Sequence, residues 1–180
     1  MGLAKEFERE KLIIGLIYHD RKVHDEALAE LVAAFGPVDD VCEEFSFSKN
    51  FSSYYDEELG GEGLRRIYSF EVTVDAERQA DIKIFTNALE EKYSEGGLRK
   101  INIDPGFINS GRLMLATTKP NGFRIPLRCG IYTELTLFYA RGEFHDLPWT
   151  YRDYSSAPVK EFLIRVRKRY LSERKAQKQN

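Results

Sequence analysis

Residues Lys100–Lys119 read K-I-N-I-D-P-G-F-I-N-S-G-R-L-M-L-A-T-T-K, and the way this stretch folds decides how the rest of the chain is arranged. In a strand the period of two puts Ile101 and Ile103 on one face and Asn102 and Asp104 on the other. Asp104-Pro105-Gly106 then carries turn chemistry: Asp bonds its own backbone, Pro presets φ and Gly accepts a positive φ. The expectation is a short strand over Lys100–Ile103 that breaks at Asp104, a small loop, and a second strand over Arg112–Thr118.

Working back toward the N-terminus, Lys11–His19 (K-L-I-I-G-L-I-Y-H) is a continuous apolar run bounded by polar residues, the pattern of a central strand buried on both faces. Ala27/Leu28, Leu31/Val32 and Phe35 recur at helical spacing, and Gly36-Pro37 ends that helix. Val38–Ser48 finishes in alternation with Phe45 and Phe47 on one face, and predicts a strand. Lys49–Gly63 predicts a long loop with one helical turn, the kind of segment that often carries function. Leu64–Val74 predicts a strand, after which Asp75 is placed to cap a helix bearing Ile82, Phe85, Leu89 and Tyr93 on one stripe.

Lys100–Ile103 then supplies the last strand of a β-α-β-β-α-β series, the ferredoxin-like split motif. A doubly wound sheet is disfavoured, because no helix separates the second strand from the third. Arg112–Thr118, Phe123–Cys129 and Ile131–Ala140 are expected to extend the sheet as antiparallel hairpins. After an aromatic connection, Leu147–Tyr154, a final amphipathic helix is predicted, with Ser156 as its cap and Val159, Phe162, Leu163, Val166 and Tyr170 packed on the domain. The fold class is α+β.

A chain of 180 residues with 42% hydrophobic and 31% charged residues has the composition of one globular domain, 1–180, with 1–9 and 172–180 as flexible ends. The formal net charge is −2, yet the chain from Lys160 onward holds eight Lys/Arg against two Asp/Glu. Such a run can approach nucleic acid, but a solvated helix end explains it as well, and nucleic-acid binding is not expected. Cys42 and Cys129 sit in apolar runs without a CxxC spacing, as reduced core thiols do. The polar N-terminus and the shortness of Leu12–Tyr18 predict a cytoplasmic protein without a membrane partner.

The sequence contains no P-loop, no G-x-G-x-x-G after a strand, no H-E-x-x-H and no G-x-S-x-G, which excludes the common nucleotide-cradling, zincin and hydrolase solutions. His19, His24 and His145 lack ligand spacing, so no metal is expected, and the residues point to no particular cofactor. Thr117, Thr118 and Lys119 end one strand, and Arg124 follows a Pro-Asn-Gly turn. If these strands adjoin, Lys119, Arg124 and Arg112 can face a phosphate or carboxylate; a solvated hairpin tip fits the same residues. Glu134 and Glu71 interrupt strand patterns, and with Asp104 they form either an acidic pocket suited to a metal or to proton transfer, although the spacing matches no metal signature, or a set of structural ion pairs. Asn102 shares the face of Asp104, and Tyr54 and Tyr55 lie on a loop able to cover a ligand.

Taken together, K-L-I-I-G-L-I-Y, F-G-P-V-D, Y-Y-x-x-E-L-G from Tyr54, S-F-E at Ser69–Glu71, T-N-x-L-E from Thr86, N-I-D-P-G-F, L-A-T-T-K, G-I-Y-T-E-L-T-L and L-P-W-T-Y-R-D-Y resemble the prokaryotic family catalogued as domain of unknown function 4416. The resemblance covers essentially the whole chain and implies no established activity. Members often carry a GTP-binding label, and T-T-K-P-N is distantly similar to the [NT]-K-x-D guanine-reading motif. Here Asn121 stands where that motif has Asp, and no P-loop accompanies it, which argues against a GTPase. The family pattern also has a His where this chain has Phe123, before Arg124, so an activity dependent on that His would be lost here or use another group. The residues then favour a domain that binds, or acts on, a phosphorylated or otherwise anionic small molecule. The alternative is an interaction module or homo-oligomer that uses a sheet edge and the Trp149–Tyr154 segment.

Overall fold

In the computed structural model, which describes residues 2–177, strand β1 (Glu10–Tyr18) is buried along its whole length. Its even-numbered side chains, Leu12, Ile14, Leu16 and Tyr18, enter one core and Ile13 enters another, so the unbroken apolar run serves two faces of a sheet. Helix α1 (Arg21–Phe35), capped by the Asp20 carboxylate accepting from the Lys22 N–H, covers the first face with Ala27, Leu31 and Phe35. Strands β2 (Val38–Val41) and β3 (Phe45–Ser46) follow, then two single-turn helices, α2 (Phe47–Asn50) and α3 (Asp56–Leu59). Strand β4 (Leu64–Val74) pairs antiparallel with β1. Helix α4 (Gln79–Lys92) adds Ile82 and Leu89 to the first core.

A small hairpin, β5 (Ser94–Glu95) with β6 (Leu98–Arg99), leads into β7 (Ile101–Ile108), which pairs with the other side of β1. Strands β8 (Arg112–Thr117), β9 (Ile125–Pro126), β10 (Tyr132–Ala140) and β11 (Glu143–Asp146) complete the sheet. The order is β11-β10-β8-β7-β1-β4-β2, with β3 paired to β4 and β9 to β10. Every pairing is antiparallel.

Helix α5 (Ala157–Gln177) covers the second face. Val159, Phe162, Leu163 and Val166 pack with Ile13, Ile67 and Leu137, each large apolar side chain contributing about 1.5–3 kcal/mol. The basic C-terminal run docks on acidic parts of the same chain: Lys160 pairs with Asp146 at 2.8 Å, Arg165 with Asp40 at 3.1 Å and Arg169 with Asp39 at 3.7 Å. Arg174 pairs with Glu8, and Arg167 lies 3.5 Å over the Tyr139 ring. The charge asymmetry of the sequence is thus partly internal pairing. Met1 and residues 178–180, within the expected flexible ends, lie outside the described residues.

Four local expectations are corrected. Asp104-Pro105-Gly106 is not a turn: β7 runs through it, with Asp104 opposite Gly15, Pro105 opposite Ile14 and Gly106 opposite Ile13. Val38–Ser48 is interrupted at Cys42–Glu44, where the Glu44 carboxylate turns away to bind Arg21 at 2.5 Å and the Tyr18 hydroxyl, and Phe47 starts α2. Asp75 does not cap α4; Arg9 takes its carboxylate at 2.7 Å, and a 3-10 turn over Ala76–Arg78 opens the helix instead. Phe123–Cys129 forms only the short β9, and Cys129 sits exposed in a turn at φ 53°.

Cys42 remains a buried thiol, and burial pushes its pKa up to about 11. An aromatic disulfide reagent at pH 8 is therefore expected to titrate Cys129 alone in the native protein and both thiols after denaturation. Rapid reaction of both in the native state would contradict the packing of Cys42 against the second core.

Candidate functional site

The site begins with a strand that loses its neighbour. Strand β8 pairs with β7 only between Gly106 and Ile108, so Ile101–Pro105 has β1 on one side and no strand on the other. Gly106 marks the point of closest approach: a Cβ there would lie 2.6 Å from Leu115 Cδ2 and 3.0 Å from the Met114 carbonyl. The alternation of backbone groups turns Ile103 and Pro105 toward the unpaired side, where proline lacks nothing by having no N–H. Ile103 does have groups to satisfy. Glu90 Oε1 accepts from its N–H at 2.7 Å, and Lys83 Nζ donates to its carbonyl at 2.8 Å. Seven residues apart on α4, these two side chains share a helix face and stand in for the missing strand.

Across the sheet, Arg65 on β4 is buried to 1% exposure. It reaches over Gly15 toward β7, donating to Asp104 Oδ2 at 3.0 Å and to the Tyr154 hydroxyl at 2.8 Å, with Asp153 Oδ2 3.3 Å from its Nε. A Cβ on residue 15 would lie 2.5 Å from Arg65 Nη2, which is why the apolar run of β1 contains a glycine. Burial works against the Arg65 cation, but Tyr154, Asp153 and Asp104 outweigh it and hold its pKa above the ordinary arginine value. Burial pushes the Asp153 carboxyl up, and Arg65 opposes that rise. Asn102 also donates to Asp104 Oδ2, at 2.8 Å.

Two further arginine–carboxylate clusters frame the opening, the first buried and the second half-buried. Arg124 Nε donates to Glu134 Oε2 at 2.7 Å, and its remaining nitrogens reach the Lys119 carbonyl and the Tyr151 hydroxyl, each at 2.7 Å. Arg99 bridges Glu58, at 2.6 Å and 3.0 Å, to Glu90 at 2.8 Å, tying α3 to α4. Hydrogen bonds that Arg99 donates to Glu58, then to Glu90, raise its pKa above the usual value despite burial. Phe123 stacks on Trp149 with ring centroids 4.6 Å apart, fixing the β9 approach.

Between these groups lies a cavity of about 130 Å³. Pockets that bury drug-sized ligands measure ~300–1,000 Å³, so this one suits a compact molecule or the end group of a larger one. Asp104, Glu134, Asn102, Tyr55, Thr117 and Thr118 line it together with Lys119. Tyr54 stands at the rim, its ring 5.5 Å from Lys119 Nζ. Arg124 meets the site through Glu134. Glu71 and Arg112 lie elsewhere: Glu71 is exposed among Arg9, Arg169 and Glu173, and Arg112 pairs with Glu10 at 2.6 Å. Among the described residues no group of three or more His, Cys, Asp or Glu side chains could hold a metal ion.

Sequence reasoning missed Arg65, Lys83, Glu90, Arg99 and Asp153, all of which line the cavity. Two signals pointed to them. A glycine inside an apolar strand implies close approach by another group, and Lys83 and Glu90 interrupt the face of α4 that buries Ile82, Thr86 and Leu89.

The chain belongs to the family described as Domain of unknown function (DUF4416), whose model matches residues 8–170. No curated protein and no solved structure matches it. Among the described residues no helix is long and apolar enough to cross a membrane.

Proposed function

We propose that this DUF4416 member is a cytoplasmic domain that binds a compact anionic molecule in the cleft where β8 leaves β7, with Lys119 receiving the anion. One observation carries the proposal. Segments on which the family resemblance rests, far apart in sequence, each send a side chain to one cavity: Tyr55, Asn87, Asp104, Lys119, Glu134 and Tyr151. A sheet that needed only packing would have no reason to gather them.

The charges favour an anion at the mouth. Arg65, Lys83 and Arg99 each have a carboxylate within 4 Å, whereas Lys119 has none among the described residues and is exposed. Tyr54 and Tyr55, on the segment between α2 and α3, are placed to cover a bound molecule. The strand order β7-β1-β4-β2, with α1 and α4 on one face, supports reading residues 10–108 as a ferredoxin-like core whose fourth strand supplies one wall of the site.

Thermal denaturation in the presence of inorganic phosphate and a panel of phosphorylated and carboxylated metabolites tests this reading. A ligand at a hundred times its Kd stabilises by about 2.7 kcal/mol, or roughly 5–10 °C for a domain of this size. Lys119→Ala is expected to leave the Tm of the free protein unchanged and to weaken binding about tenfold or more, the loss of one charge-assisted contact. A ligand shift of equal size in wild type and Lys119→Ala would place the anion elsewhere.

A further inference from the structure

Lys119 accounts for one end of the cleft; the other end has the opposite chemistry. Glu134 is 1% exposed, and its two oxygens differ. Oε2 accepts from Arg124, while Oε1 is buried without any hydrogen-bond partner among the described residues. The nearby Tyr151 hydroxyl accepts from Arg124; burial and then the Glu134 carboxylate raise its pKa, yet its geometry gives Oε1 no hydrogen bond. A buried carboxylate oxygen left unpaired costs about 1–3 kcal/mol or more, so a donor that a bound molecule brings to Oε1 is stabilised there.

Asp104 adds to the same wall. Both of its bonds, from Arg65 and Asn102, fall on Oδ2, and Oδ1 makes none among the described residues. The inner wall thus offers acceptor oxygens on two carboxylates, and their arginine partners direct most of their donors to other protein groups. Apart from Lys119, the ion pairs around the cavity join Arg65, Lys83, Arg99 and Arg124 to Glu58, Glu90, Asp104, Glu134 and Asp153, one negative charge in excess. Lys119 puts the balancing positive charge at the mouth. A hydroxyl could satisfy one acceptor, but it brings no charge to meet that excess; an ammonium group brings three donors and the charge.

We propose that the ligand is a compact zwitterion, with a primary amine donating to Glu134 Oε1 at the inner end and a carboxylate or phosphate facing Lys119 at the outer end. This rests on the cleft being an anion-binding site, and it names the class of molecule that fills it.

The test uses the full chain and matched probes: α-amino acids against the α-hydroxy acids of the same side chain, and phosphoethanolamine against ethylene glycol monophosphate, with inorganic phosphate as the anion alone. Calorimetry and thermal shift are expected to find an amine-bearing probe that binds at least about tenfold more tightly than its hydroxyl counterpart, one charge-assisted hydrogen bond's worth. In Glu134→Gln, which keeps an oxygen for Arg124 and loses the charge, that preference should shrink to within about threefold. The comparison between matched probes in wild type needs no variant, so it decides the question even if Glu134→Gln does not fold. Equal binding of amine and hydroxyl partners, still dependent on Lys119, would overturn the amine and leave the anion site standing. Binding of no probe, or binding indifferent to Lys119→Ala, would remove both.

Discussion

Replacing Arg65 by Met is expected to lower the unfolding free energy by about 3–5 kcal/mol, because it leaves buried carboxylates without their cation. Asp153, with 6% side-chain exposure, has no other salt-bridge partner among the described residues, and Asp104 and the Tyr154 hydroxyl lose a donor each. For a domain of this size the Tm should fall by roughly 6–20 °C. The loss should also depend on pH. In the native protein burial raises the Asp153 carboxyl and Arg65 opposes that rise, so without Arg65 the rise is larger. A carboxyl with a raised folded-state pKa binds its proton more tightly when folded, and stability then falls as pH rises through the carboxylate range. Arg65→Met should therefore be more damaging at pH 7 than at pH 4 when each is compared with wild type. Gly15→Ala forces the same guanidinium aside and should cost about 1–3 kcal/mol in the wild type but much less beside Arg65→Met. Additive losses in that double-mutant cycle would mean that the glycine serves something other than the arginine.

That pairing also marks where the sequence was legible. The buried central strand follows from an unbroken apolar run, and the two helices over one face and the terminal helix with Val159, Phe162, Leu163, Val166 and Tyr170 follow from periodicity, because burial on a helix face repeats at a fixed interval. Glu134 drew attention because a polar group interrupting a strand pattern must face something, as did Glu71, which lies elsewhere, while Asp104 and Lys119 stood out as charged residues at expected strand ends. What single-sequence reasoning could not reach was the direction of long side chains across strands. Arg65 reads as a surface residue of an alternating strand until β1 is known to be its neighbour and Gly15 to leave a gap. Asp104-Pro105-Gly106 misled for a related reason. Turn propensity is a local preference, and here pairing with β1 overrides it, while the same residues suit a strand whose outer edge is open at Pro105 and tightly approached at Gly106.

Glu90→Leu is expected to cost a further large sum, about 3–5 kcal/mol, and to show what closes the open edge of β7. The wild-type carboxylate accepts from the Ile103 N–H at 2.7 Å and from Arg99 at 2.8 Å, and its Oε1 lies 3.7 Å from the Lys83 ammonium. Leucine fills similar space but leaves Lys83, with 7% side-chain exposure, facing only the Ile103 carbonyl, and it orphans the Ile103 amide. Arg99 keeps Glu58, so α3 should stay attached and the damage should centre on the helix-to-strand contact. Glu90→Gln retains an acceptor and should cost less, about 1–2 kcal/mol. Hydrogen exchange separates the two cases: the Ile103 amide should be protected in wild type and in Glu90→Gln, and should exchange far faster in Glu90→Leu under conditions where the rest of β7 remains protected. Adding Lys83→Met to Glu90→Leu should recover part of the loss by removing the stranded cation, without restoring protection at Ile103. If Glu90→Leu costs less than about 1 kcal/mol and Ile103 stays protected, the edge is closed by the backbone alone, and the cleft beside it owes nothing to the two charges on α4.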